Sequence, residues 1–137
     1  MAAKKILVVD DNADMLELLT GVLQDCGHSV VVARDGLDAL HQGRRHLPDL
    51  ILLDLMLGDM DGFSVCELLR SQPSTKAIPV VIMSALAGEL ARINSLDSGA
   101  ADFLGKPFCR QEVLSLVDQV LASEQQRQAA LDAAEPV

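Results

Sequence analysis

Five short apolar runs, each followed by a stretch with helical spacing, divide this chain. The runs are residues 6–9, 29–33, 50–53, 80–83 and 102–104. Residues 13–26 place Met15, Leu18, Leu19, Val22 and Leu23 on one helical face, with Asn12 or Asp11 as the cap and Gly27 as the C′ residue. Further helical segments are expected at 36–46, 62–71, 88–97 (the weakest) and 110–123. Connections of helix length cross over a sheet instead of turning back beside it. The pattern therefore predicts an α/β fold, with a parallel sheet covered on both faces and right-handed crossovers. The first and third runs are the most apolar, which suits central strands; strand order cannot be read from this pattern.

A chain of 137 residues makes one domain with a real core. From Ser123 the sequence SEQQRQAALDAAEPV is helix-compatible until Pro136, and it either extends the last helix or frays, with fraying expected beyond Gln128. No apolar run approaches the roughly 20 residues that cross a bilayer. The start MAAKKILVVDD carries an acidic pair that a secretory signal would not, so a cytoplasmic protein without membrane insertion is expected. A net charge of −9 with no Trp, no Tyr and three Phe argues against nucleic acid as a direct partner. Cys26, Cys66 and Cys109 lack CxxC spacing and read as reduced thiols. His28, His41 and His46 have no partner at metal-ligand spacing.

The polar residues that end the runs carry the chemistry. The segment LILLDLMLGDMDG (50–62) stops its apolar run on Asp54, although an unpaired buried carboxylate costs several kcal/mol. The first run ends on Asp10 and Asp11, the fourth on Ser84, and the fifth is followed by Lys106. In a parallel sheet all strand C-termini share one edge, where open α/β folds bind ligands. Three carboxylates gathered there need a cation to remain ionised. Oxygen-only ligands point to a hard ion, Mg²⁺ first and Mn²⁺ as the alternative. Lys106 and Ser84 suit a phosphoryl group, and Asp54 could attack phosphorus to form an aspartyl phosphate. Each residue alone has a plainer account: Asp10 and Asp11 as helix caps, Asp54 and Ser84 as strand ends; Lys106 alone is uninformative. Their convergence is what favours a site.

The stretches ILVVDD (6–11), LLDLMLGDMDG (52–62), IPVVIMSA (78–85) and SGAADFLGKPF (98–108) resemble the response-regulator receiver domain of two-component signalling. The resemblance covers roughly residues 4–122 and implies a receiver domain over 1–122, with 123–137 as an extension. It implies the flavodoxin-like (βα)5 fold with strand order 2-1-3-4-5, and a cis Lys106–Pro107 bond. By position, Asp54 resembles the phosphoacceptor, and Asp10 and Asp11 the acidic pair for Mg²⁺, with the Met56 backbone carbonyl as a further ligand. Ser84 resembles the hydroxyl that bonds the phosphoryl group, Ala85 the small residue beside it, and Lys106 the phosphate-binding lysine.

Departures from the family pattern carry their own expectations. Phe103 stands at the aromatic switch position, more often Tyr, so it either switches by packing without a hydroxyl bond or is a core Phe that never moves. Gly58 replaces the usual Pro and is expected to leave the loop after Asp54 freer. Asp61-Gly62 fits a turn into the third helix, and neither Asp59 nor Asp61 is assigned to metal. Met56 and Leu86 lie where the family tunes hydrolysis; both are apolar, so slow autodephosphorylation is expected.

The implied function is a signalling switch and not a turnover enzyme. The chain would accept phosphate from a sensor histidine kinase or histidine phosphotransfer protein in a phosphorelay, catalyse its own phosphorylation, and alter its affinity for a downstream protein target. Homodimerisation through the fourth helix, fifth strand and fifth helix is common in such relatives. The competing readings are an aspartyl-nucleophile phosphohydrolase, a flavodoxin-like nucleotide binder and an unphosphorylated interaction module. The first lacks its second Asp, since Met56 stands there; the second lacks a Gly-rich phosphate loop after Val9. No output module is visible, so the chain is either a stand-alone receiver or a fragment of a larger regulator.

Overall fold

The computed structural model describes residues 3–85 and 89–134. The five apolar runs are strands β1 (Lys5–Val9), β2 (Ser29–Ala33), β3 (Leu50–Asp54), β4 (Val80–Ser84) and β5 (Asp102–Gly105). They alternate with α1 (Ala13–Asp25), α2 (Gly36–His46), α3 (Gly62–Ser71), α4 (Glu89–Asp97) and α5 (Arg110–Ala134). Every strand pairing is parallel and the order is β2-β1-β3-β4-β5, the flavodoxin-like arrangement. As their apolar character predicts, β1 and β3 are interior strands; β4 is interior too, with all five residues buried.

Alternation along the strands divides the core into two layers. Ile6, Val8, Leu50, Leu52, Val81 and Met83 pack with Leu16, Leu19 and Leu23 of α1 and with Val113, Val117 and Val120 of α5. Leu7, Val9, Ile51, Leu53, Val80 and Ile82 pack with Ala39 of α2 and with Val65, Cys66 and Leu69 of α3. Most of these side chains are fully removed from water, and each large one contributes about 1.5–3 kcal/mol. Burial on both faces leaves the strand ends as the place where polar side chains can act.

Local chemistry sets the helix starts at that edge. The Asn12 side chain accepts from the Met15 N–H (3.1 Å), which makes Asn12, not Asp11, the cap of α1. Asp35 and Asp61 cap α2 and α3 in the same way, accepting from Asp38 and Ser64 at 2.8 Å. Gly27, with φ of 89°, ends α1 as the predicted C′ residue. The three cysteines are free, and only Cys66 is buried.

The end of the chain differs from expectation. No fraying sets in at Gln128: α5 continues to Ala134. Residues 122–133 bury almost nothing, so strong helix formers carry this extension, together with Arg127–Glu124 (2.9 Å) and Gln128–Asp132 (3.1 Å) pairs. Gly88 and Leu86 lie outside the described residues, so α4 is described from Glu89. Among the described residues, no helix is long and apolar enough to cross a membrane.

Candidate functional site

The C-terminal edge of the sheet gathers the residues picked out by the strand ends. Asp10 follows β1, Asp54 ends β3, Ser84 ends β4, and Lys106 follows β5. Ninety-six positions separate Lys106 from Asp10, yet its Nζ donates to Asp10 Oδ2 at 3.0 Å and to Asp54 Oδ1 at 3.3 Å. Carboxylate oxygens of Asp10, Asp11 and Asp54 all lie within 4.8 Å of one another. Asp10 and Asp54 are buried, whereas Asp11 is exposed and lies at the mouth. Ser84 is buried, and its carbonyl accepts the Lys106 N–H at 2.7 Å, which ties the lysine to the end of β4. The Lys106–Pro107 bond is cis.

Backbone contacts set the approach to this cluster. The Asn12 N–H donates to Asp10 Oδ1 (3.0 Å) and so orients the first carboxylate. Met56 pairs with Asp61 in an antiparallel bridge, and the Gly62 N–H donates to the Leu55 carbonyl at 2.7 Å. A Cβ on Gly62 would lie 2.7 Å from the Asp54 carbonyl oxygen and 2.8 Å from Leu55 Cα, so only glycine lets α3 start so close beneath β3. The Met56 side chain points away into solvent and is 65% exposed.

The electrostatics are unbalanced. Burial, and then the Asp10 charge, push the Asp54 carboxyl above its ordinary range, although Lys106 and a Met56 backbone hydrogen bond pull the other way. Burial works against the Lys106 charge, but its hydrogen bond to Asp10 and the Asp54 and Asp10 charges hold its pKa up. Three carboxylates and one ammonium leave two formal negative charges. A divalent cation would cancel them, and the all-oxygen donor set fits a hard ion such as Mg²⁺.

Phe103 is half-buried against the core layer containing Ile82, with its ring edge 3.9 Å from where a Cβ on Gly105 would stand. Ala85 is exposed beside Ser84. The sequence pattern missed the role of Asp59. Its carboxylate accepts from the N–H groups of Gly36 (2.7 Å) and Leu37 (3.0 Å), which draw its pKa down. It thereby ties the loop after Asp54 to the start of α2, so the freedom expected from Gly58 is countered by its neighbour. No local spacing announces a contact across 23 positions.

The chain belongs to the response regulator receiver domain family, whose model matches residues 6–118. It is 44% identical over 132 residues to the response regulator PleD of Caulobacter vibrioides, covering 92% of this chain and 29% of PleD. It is 41% identical over 114 residues to the DNA-binding response regulator MtrA of Mycobacterium tuberculosis, covering 83% of this chain and 49% of MtrA. The chain thus spans about half, or less, of these curated relatives. Among solved structures, the chemotaxis response regulator CheY4 of Vibrio cholerae superposes with a TM-score of 0.83 at 28% identity, covering 87% of this chain and 99% of CheY4.

Proposed function

We propose that this chain is a phosphorylation-controlled switch in a cytoplasmic phosphorelay, with Asp54 as the phosphoacceptor. The supporting observation is the approach of Asp10, Asp11 and Asp54 to within 4.8 Å, with Lys106 Nζ bonded to two of them. The donor is the phosphohistidine of a sensor histidine kinase or histidine phosphotransfer protein. An Asp54 carboxylate oxygen attacks phosphorus in line; the new P–O bond forms as the P–N bond breaks, and its electron pair returns to the imidazole. Mg²⁺, held by Asp10, Asp11, Asp54 and the Met56 carbonyl, would neutralise charge on the phosphoryl oxygens.

Lys106 turns from the carboxylates to a phosphoryl oxygen, and the Ser84 hydroxyl donates to another. Ser84 and Phe103 then carry the change toward α4 and β5, which shifts affinity for a downstream protein target. The chain catalyses its own phosphorylation and slow autodephosphorylation; it is not a turnover enzyme. The exposed apolar Met56 side chain cannot orient a hydrolytic water, so Met56→Asn should shorten the phosphoryl lifetime. An unchanged or longer lifetime would contradict that role. Direct nucleic-acid contact is no part of this proposal, given the net charge of −9.

The test is incubation with acetyl phosphate and Mg²⁺, followed by intact mass. A gain of one phosphoryl group, absent from Asp54→Asn, is expected. A gain that persists in Asp54→Asn would move the site, and turnover of p-nitrophenyl phosphate would favour a phosphohydrolase.

A further inference from the structure

The loop between β3 and α3 holds the Met56 carbonyl and is closed at its base. The Gly62 N–H bonds the Leu55 carbonyl, and Met56 bridges Asp61. Its tip contains Gly58, around which a Cβ would meet nothing within 4 Å, so packing does not hold the tip there. Two neighbouring residues reach across to α2 instead. Met60 lies over Gly36, where a Cβ would overlap Met60 Cγ and Sδ. Asp59 accepts two N–H groups from Gly36 and Leu37, at 2.7 and 3.0 Å. Those donors belong to the first turn of α2, which has no intrahelical acceptors for them, while Asp35 satisfies the next one at Asp38. A carboxylate at a helix N-terminus also faces the positive end of the helix dipole.

We propose that Asp59 is a positioning residue for the cation site: by clamping the loop tip to α2 it fixes the Met56 carbonyl, replacing the stiffness that Gly58 does not provide. This rests on the reading of the site given above. Asp59 touches neither the cation nor the phosphoryl group, and it acts only through the backbone between residues 56 and 59. The Asp59 pKa, lowered by the Gly36 and Leu37 N–H groups, keeps the clamp charged through the neutral range. Gly58 does not have a left-handed φ, so a proline there is a second way to stiffen the tip.

Calorimetric Mg²⁺ titration of the full chain tests this, with amide hydrogen exchange at Gly36 and Leu37 as the second readout. Asp59→Ala should speed exchange at both amides and weaken Mg²⁺ binding by about three- to tenfold, the lower range for a residue supporting a metal ligand indirectly. Asp59→Asn keeps one acceptor and should retain most of the affinity. Adding Gly58→Pro to Asp59→Ala should recover Mg²⁺ affinity without restoring the two amides, which a merely local capping role would not produce. Wild-type Mg²⁺ affinity in Asp59→Ala despite faster exchange, or no recovery with Gly58→Pro, overturns the proposal alone. Absence of Mg²⁺ uptake by the wild-type chain overturns the reading of the site as well.

Discussion

Replacing Asp54 with asparagine should make the metal-free protein more stable. The Asp54 side chain is 8% exposed, with an Asp10 oxygen within 4.8 Å and Lys106 Nζ at 3.3 Å. At an effective dielectric of about 20, those separations give at least about 3.5 kcal/mol of repulsion from Asp10 and about 5 kcal/mol of attraction to Lys106. The balance in favour of the charge is at most about 1.5 kcal/mol, repulsion from the exposed, better-screened Asp11 lowers it further, and burying an ion costs several kcal/mol. This is why burial dominates and the Asp54 pKa stands above its ordinary value.

A carboxyl whose folded pKa exceeds its unfolded one takes up a proton on folding. The Asp54 contribution to metal-free stability therefore falls as pH rises from the ordinary carboxylate range through the folded value, and it is flat above it. At neutral pH, Asp54→Asn, which preserves shape, should gain about 1–2 kcal/mol, or roughly 3–8 °C in Tm. Excess Mg²⁺ reverses the order, because a ligand at a hundred times its Kd adds about 2.7 kcal/mol to the wild-type chain and less to a variant short of a ligand. Differential scanning calorimetry with EDTA and then with Mg²⁺ reads both effects. A variant that melts at or below wild type in EDTA would mean that the Asp54 charge does not destabilise the metal-free fold.

The same ionisation makes cation uptake pH-dependent. Mg²⁺ affinity should fall as pH drops through the raised Asp54 pKa, and binding near that pH should release protons, measurable in weakly buffered solution; pH-independent affinity would contradict it. Gly62→Ala should cost about 1–3 kcal/mol in urea denaturation, because the new methyl meets Asp54 and Leu55 backbone instead of yielding side chains. Removal of residues 124–137 should change stability by no more than about 0.5 kcal/mol, since nearly all of the described side chains beyond Ser123 are exposed; a larger loss would make the extension part of the domain.

Features governed by local periodicity were legible in the sequence. Strands β1 to β5 and the starts of α2, α3 and α5 fall where the short apolar runs and the helical spacing predict them, because two-sided burial demands near-continuous apolar strands. The meeting of Lys106 with Asp10 and Asp54 was legible too, since parallel topology alone carries all three to one edge. The order of the strands was not; it came through the family resemblance. The full length of α5 was hidden for a different reason. From Ala122 to Ala133 the helix buries almost nothing, and propensity and side-chain pairs, not core packing, sustain it. Asp59 escaped because its partners are backbone amides, which have no residue type to recognise.

Conversion of Asp54 to an acyl phosphate can be trapped chemically. Borohydride reduces an aspartyl phosphate to homoserine. Reduction after incubation with acetyl phosphate and Mg²⁺, followed by peptide mass mapping, should find homoserine at position 54 and nowhere else. Homoserine at another aspartate, or an unmodified Asp54 in a folded protein that binds Mg²⁺, would mean that Asp54 is not the phosphoacceptor.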